Sequence, residues 1–88
     1  MEQSFLDAMP RYRCHKEVRA LKIEKLLPKP DGTAITTILR CEGGFMVKVG
    51  AQYMLRNNPE PGGYYVVYED GYESFSPAKA FEDGYTRI

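Results

Sequence analysis

Residues 62–88, GGYYVVYEDGYESFSPAKAFEDGYTRI, hold the clearest strand, turn and helix signals in this chain of 88 residues. Residues 64–68 are a run of β-forming side chains, and a second such run follows at residues 72–75. Asp70 and Gly71 lie between the two runs, and an Asp-Gly pair in that place is typical of a tight β-hairpin. The stretch therefore predicts a C-terminal hairpin that turns at residues 70 and 71.

A two-residue turn decides which residues of the hairpin share a face, because residues opposite each other lie on the same side of a sheet. Val66 is then expected opposite Phe75. One face, which we assign to the core, carries Tyr64, Val66, Tyr68 and Phe75. The other, wetter face carries Tyr65, Val67, Glu69, Tyr72 and Ser74.

A short helix is predicted directly after the hairpin. Ser76 fits the N-cap, Pro77 the first helical position and Gly84 the C-cap. Residues 85–88 then form a closing extended segment.

Three further strands are predicted before the hairpin. They cover residues 18–25, residues 33–40, which are rich in β-branched side chains, and residues 45–49. In the third strand Phe45, Val47 and Val49 are expected to face inward.

Breaks in the pattern separate these strands. Pro28, Pro30 and the Asp31-Gly32 pair are expected to end the first strand, residues 52–55 favour a helical turn over a brief strand, and residues 57–63 form a loop. The sequence thus predicts an α+β fold. Its parts are a small antiparallel sheet, able to curl into a half-barrel, and a C-terminal hairpin followed by one short helix.

Length and charge limit the organisation and the partners. Residues 1–88 are expected to form a single domain, with residues 1–10 as a flexible N-terminal tail. The 12 basic and 12 acidic side chains give a net charge of zero, so no nucleic-acid partner is expected. The sequence contains neither a signal peptide nor an apolar run of membrane-spanning length, which predicts an intracellular protein with no membrane partner.

Side chains that could carry chemistry are sparse. Cys14, His15 and Cys41 match no zinc or redox spacing, so neither a metal site nor a cofactor is predicted. Adjacent residues of a strand point to opposite faces, which argues against a Cys14–His15 dyad. The sequence therefore predicts a protein that is not an enzyme.

Two segments resemble parts of a group of small proteins encoded by tailed bacteriophages and prophages. They are YRCHKEVRALKI at residues 12–23 and NPEPGGYYVVYEDGYESFSPAKAFEDGYTRI at residues 58–88. The matching positions are Tyr12, Arg13, Lys16, Val18, Ala20 and Ile23 in the first segment and residues 59–86 in the second. The resemblance implies a phage or prophage origin, a location in the host cell cytoplasm and a strand at residues 18–25. It implies no activity.

The tyrosines of the wetter face indicate a binding function. Tyrosine combines a large apolar ring with a polar tip and little rotamer entropy, which suits recognition surfaces. The predicted binding residues are Tyr65, Tyr72, Glu69, Ser74, Arg13 and Lys16. The partner we expect is a host or defence-system protein, and a homodimer is also compatible with this face. Alternatively, the helix or the N-terminal arm covers the face as a second small core layer.

Two other functions stay open at this stage. One is a protein that binds or sequesters a nucleotide-like ligand, with tyrosine stacking on the base and Arg11, Arg13 or Lys16 on the phosphate. The other is a minor component of the virion or of its assembly.

Overall fold

A computed structural model of the chain describes residues 3–13, 17–31 and 34–88. Within these ranges the α-helices are α1 (Gln3–Ala8), α2 (Ala51–Asn57) and α3 (Ala78–Gly84), and a single 3-10 turn covers Glu42–Gly44. The strands are β1 (Arg11–Arg13), β2 (Glu17–Asp31), β3 (Ala34–Cys41), β4 (Met46–Val49), β5 (Tyr64–Val67), β6 (Glu73–Ser76) and β7 (Thr86–Arg87). The described strands form one antiparallel sheet that is not closed into a barrel, and the predicted α+β class is confirmed.

Strand β2 is the centre of the sheet because it pairs with three other strands. Its first half pairs with β1 and β5, and its second half pairs with β3. The strand order is β4-β3-β2-β1-β7, and β5 carries β6 as a hairpin beside β2. The strand predicted at residues 18–25 is therefore confirmed, and it is longer than expected.

The prediction that Pro28 and Pro30 end this strand is wrong. Pro28 lies opposite Thr37 and Pro30 opposite Ile35, within a continuous ladder. In the described residues this half of β2 pairs only with β3, so its other edge has no partner strand. A backbone position that faces this open edge needs no N–H donor, and proline is tolerated there. Gly32, the second residue of the predicted turn, lies outside the described residues.

Two apolar clusters lie on opposite sides of β2 and β5. The main cluster consists of Met9, Leu21, Ile23, Leu39, Cys41, Val47, Val49, Tyr53, Tyr65 and Val67. The smaller cluster consists of Val18, Ala20, Tyr64, Val66 and Phe81. Because successive side chains of a strand point to opposite sides, all four residues of β5 are buried.

Strand β4 and helix α2 close the main cluster. Val47 and Val49 are buried and Phe45 packs against the cluster, as the alternation predicts. Residues 52–55, where a helical turn is predicted, lie within the longer helix α2. Tyr53 anchors this helix, since its ring is buried and its hydroxyl donates a hydrogen bond to the carbonyl oxygen of Ser74 at 2.7 Å.

The N-terminal segment is docked on the sheet, where the sequence favours a flexible tail. Met9 is buried, and Phe5 meets the ring of Phe45 edge-on with the centroids 5.4 Å apart. An Nη1 of Arg19 donates to the carbonyl oxygen of Met9 at 3.3 Å. Burial of apolar side chains thus holds the segment in place.

The hairpin forms where the sequence predicts it, but the predicted register is wrong by one residue. Val66 lies opposite Ser74, and Val67 lies opposite Glu73. The N–H of Tyr68 donates to the carbonyl oxygen of Tyr72 at 3.0 Å, so the loop has three residues, 69–71. Gly71 takes the left-handed conformation, with φ at 89°, that closes a three-residue loop of this kind.

The C-terminal helix also differs from its prediction in detail. Ser76 belongs to β6, and Pro77 precedes the helix without a side-chain cap. Phe81 is buried in the smaller cluster. The closing extended segment is confirmed, because β7 pairs with β1. None of the helices in the described residues is long and apolar enough to cross a membrane.

Candidate binding surfaces

The structure places Tyr65 inside the main cluster, so the prediction that it lies on a wetter face with Tyr72 is wrong. Its side chain is 0% exposed, and its ring lies 6.1 Å from that of Tyr53. Its hydroxyl donates a hydrogen bond to Oε2 of Glu73. Burial, and then this bond, raise the pKa of the Tyr65 hydroxyl. The one-residue change of register explains the difference, because it puts Glu73 and Phe75, and not Tyr72 and Ser74, on the face of Tyr65.

Tyr72 and Glu69 both lie at the tip of the hairpin, beside one cavity. Tyr72 is 48% exposed, and its ring stacks on that of Tyr68 with the centroids 6.1 Å apart. The guanidinium of Arg56 lies 5.3 Å from the centre of the Tyr72 ring. Asp70 accepts a hydrogen bond from the Tyr72 N–H at 2.9 Å. A cavity of about 340 Å3 is lined by Tyr68, Glu69, Asp70 and Tyr72.

The other predicted binding residues are not gathered with Tyr72. Ser74 lies opposite Val66, on the side of the smaller cluster. Arg13 is exposed on β1, opposite Glu17 and Thr86. Lys16, like its neighbours Cys14 and His15, lies outside the described residues.

A cleft of about 370 Å3 between the N-terminal segment and the hairpin includes Arg11, Arg19 and Tyr68 in its wall. It is the place where a phosphate-bearing ligand would be expected. However, Arg11 pairs with Glu17 at 2.8 Å, and Arg19 binds backbone oxygen atoms of residues 7 and 9. Both guanidinium groups therefore have protein oxygens as partners, which weakens the nucleotide hypothesis.

A different surface stands out on the outward side of β2, β3 and β4, which we call the basic face. It consists of Lys25, Leu27, Lys29, Thr36, Ile38, Arg40, Met46 and Lys48. The register defines it, since paired residues share one side of the sheet. Lys25, Arg40 and Met46 lie in one row, Leu27, Ile38 and Lys48 in the next, and Lys29 and Thr36 in the third.

The basic face combines positive charge with apolar side chains. Its four cations are exposed, and none of its eight positions holds a carboxylate. Leu27 and Ile38 are half-buried, and Met46 is 50% exposed. Glu24 approaches the edge of the face, with its Oε1 3.8 Å from the Nε of Arg40. A chain of zero net charge thus presents a locally positive surface.

The same side of β2 is covered by α3 farther along. Val18 and Ala20 pack there with Phe81. Glu82 of α3 lies 3.5 Å from the Nζ of Lys22 and accepts a hydrogen bond from the Tyr64 hydroxyl at 2.8 Å. The bond from Tyr64, together with Lys22, lowers the pKa of the Glu82 carboxyl. On this side of the sheet, the part of β2 that α3 covers therefore ends at Lys22.

Sequence reasoning found only part of the basic face. The alternation of residues 45–49 predicts that Met46 and Lys48 point outward. Lys29 is not predicted to belong to it, because the sequence predicts that the strand ends at Pro28. The alternating pattern Lys25-x-Leu27-x-Lys29 is the sequence signal that indicates an outward face there.

No cluster of three or more histidine, cysteine, aspartate or glutamate side chains in the described residues could hold a metal ion. Comparisons of the chain with family models, curated proteins and solved structures find no match.

Proposed function

We propose that the protein is a non-catalytic binding module that docks an acidic, amphipathic segment of another protein on its basic face. One observation carries the proposal: Leu27, Ile38 and Met46 form an apolar centre, and exposed cations surround it. Interfaces are commonly built from an apolar centre with a polar rim. A partner with apolar side chains flanked by carboxylates complements both parts.

A protein segment fits this surface better than nucleic acid does. Single-stranded nucleic acids bind by stacking bases on aromatic rings, and the basic face has no aromatic residue. A phosphate backbone would also lie over the apolar centre without a favourable contact.

A membrane surface is also a poorer fit. Proteins that lie on membranes bury apolar side chains roughly 5–10 Å into the interface. Leu27 and Ile38 are half-buried, so little of their apolar surface is available to insert into a bilayer. Positive charge alone would remain, and it does not account for the apolar centre.

The resemblance to phage-encoded proteins suggests where the partner comes from, since phage proteins act inside a host cell. On that basis we propose a host-cell or defence-system protein as the owner of the acidic segment. The basic face thus takes the place of the Tyr65–Tyr72 face as the binding surface, and the expected partner is still a host or defence-system protein.

The test compares two variants with the same change of charge. Lys25→Glu/Arg40→Glu alters the basic face, and Lys79→Glu/Arg87→Glu alters exposed positions on α3 and β7. The probes are a 16-residue peptide of leucine and glutamate, the same peptide with lysine for glutamate, a 15-nucleotide RNA and vesicles that contain anionic lipid.

We expect the unaltered protein to bind the acidic peptide, and the basic-face variant to bind it about tenfold or more weakly. The Lys79→Glu/Arg87→Glu control should bind as the unaltered protein does. Binding of RNA or vesicles in place of the acidic peptide would overturn the proposal. Equal losses in both variants would also overturn it, because net charge rather than the face would then explain the binding.

A further inference from the structure

We infer that the segment bound by the basic face is a short α-helix, with apolar residues at positions i, i+4 and i+7 and carboxylates on both flanks. This inference rests on the proposed function and specifies the partner of the same surface. Three observations support it: the way in which α3 docks, the continuity of the sheet, and the spacing of the apolar side chains.

Helix α3 shows how this side of the sheet accepts a helix. Phe81 inserts among Val18, Ala20, Tyr64 and Val66, and it is 1% exposed. The neighbouring Glu82 pairs with Lys22 of the underlying strand. Helix α3 therefore docks here through an apolar anchor and through a carboxylate that pairs with a lysine.

The basic face continues the same side of β2. The register shifts between Ile23 and Lys25, so that a bulge leaves Glu24 and Lys25 together on the outward side, near Arg40. After the bulge Leu26 packs against the main cluster, and Leu27 points outward. A helix on the basic face would therefore lie on the same side of the sheet as α3.

The apolar side chains have a spacing that suits a helix. Leu27 and Ile38 lie on adjacent strands in one row, and Met46 lies one strand farther, in the next row on the same side. With strands about 4.8 Å apart and same-side residues about 6.8 Å apart, Leu27 and Met46 are roughly 12 Å apart. Residues i and i+7 of an α-helix are about 10.5 Å apart along its axis, which matches this diagonal.

The cations lie on both sides of this diagonal. Lys25 and Arg40 are on one side of the line from Leu27 to Met46, and Lys29 and Lys48 are on the other. A helix whose apolar stripe follows the line would need carboxylates along both edges of the stripe. An added strand would place its inward side chains along one straight row, and the apolar side chains do not lie in such a row.

The test uses two peptides of identical length and composition. The first has leucines at i, i+4 and i+7 with glutamates on both flanks, and the second alternates leucine with glutamate. Binding is measured by fluorescence anisotropy, and helix content by circular dichroism at 222 nm. Lys25→Glu/Arg40→Glu and its control Lys79→Glu/Arg87→Glu are measured in parallel.

We expect the helical peptide to bind about tenfold or more tightly than the alternating one, to gain helix content when bound, and to lose this affinity only with the basic-face variant. Equal or tighter binding of the alternating peptide would overturn the helix and leave the proposed function standing. If neither acidic peptide binds, both are overturned. If the helical peptide binds the basic-face variant as tightly as the unaltered protein, the site lies elsewhere, and both are again overturned.

Discussion

At the scale of single residues, the hydroxyl of Tyr65 is a buried polar group whose hydrogen bond contributes to the stability of the hairpin. It lies in the main cluster, and its partner is the half-buried carboxylate of Glu73. The ring supplies apolar burial, and the hydrogen bond satisfies a polar atom that has left water. Two hairpin tyrosines close in sequence, Tyr65 and Tyr72, therefore have different roles.

Tyr65→Phe removes this hydroxyl and leaves the apolar ring. We expect the free energy of unfolding, measured with urea, to fall by about 1–2 kcal/mol, because Glu73 loses its donor. Tyr72→Phe is the matched control and should change it by less than about 0.5 kcal/mol, since Tyr72 is largely exposed. Equal effects of the two changes would contradict the register of the hairpin.

The thiol of Cys41 makes stability depend on alkaline pH. It is buried in the main cluster, and burial, aided by the charges of Glu42 and Glu24, raises its pKa to about 12 from an ordinary value of 9.0. A raised pKa favours the folded state below pH 9, and this contribution is lost as the pH rises from about 9 to 12.

Between pH 8 and pH 10 we therefore expect the free energy of unfolding to decline more steeply for the unaltered protein than for Cys41→Val. The comparison isolates Cys41, because all other groups are common to both proteins. Urea unfolding at half-unit steps of pH measures the two slopes. Parallel slopes would show that the thiol ionises as readily in the folded protein as in the unfolded one.

At the scale of elements, the hairpin depends on Gly71. This residue has φ at 89°, and an added Cβ would meet no atom within 4 Å, so that only backbone strain opposes a side chain there. Gly71→Val should lower the free energy of unfolding by about 1–3 kcal/mol, since a β-branched residue resists this conformation.

Gly84→Val is the control for Gly71→Val. Gly84 ends α3 without a positive φ, and its Cβ would also meet no atom within 4 Å. Thermal melting should therefore separate the two variants clearly. Similar melting temperatures would mean that the loop closes without the left-handed conformation at residue 71.

The elements were predictable where a local pattern determines them. Alternation located β4 and its inward residues Val47 and Val49, and the Asp-Gly pair located the hairpin. The register was not predictable, because Gly71 can serve both a two-residue and a three-residue loop. The choice decides whether Phe75 or Ser74 faces the main cluster with Tyr65, and most members of that cluster are distant in sequence.

The basic face was less predictable, for a related reason. Lys25, Arg40 and Lys48 are separated along the chain, and they meet only because β2, β3 and β4 pair in one register. Overall composition hid the face, because acidic residues elsewhere cancel its charge. A strand can continue through Pro28 only where the proline nitrogen faces away from the neighbouring strand. The sequence alone does not reveal that this half of β2 lies at an edge of the sheet.

At the scale of the whole molecule, β5 belongs to both apolar clusters. Tyr65 and Val67 pack in the main cluster, and Tyr64 and Val66 pack in the smaller one. Neither cluster can open without exposing part of the other. The two sides of the sheet are therefore expected to unfold together.

Hydrogen exchange measures this coupling. Backbone amides that pair β5 with residues 19–22 of β2 should exchange most slowly, with a free energy of opening close to that of global unfolding. Amides of the short terminal strand β7 should exchange much faster and serve as the internal reference. If the residues of β5 exchange in two groups of clearly different rate, the two clusters open separately.

The bulge at Glu24 has one further consequence, for the design of altered forms. Removing this single residue would leave Lys25 opposite Arg40 and Leu26 opposite Leu39, so every side chain would keep its side of the sheet. Only the local bend and twist that a bulge adds would disappear. Such a deletion would re-aim the distal half of the ribbon relative to α3 and keep all eight residues of the basic face, but it would also remove the Glu24 carboxylate beside Arg40.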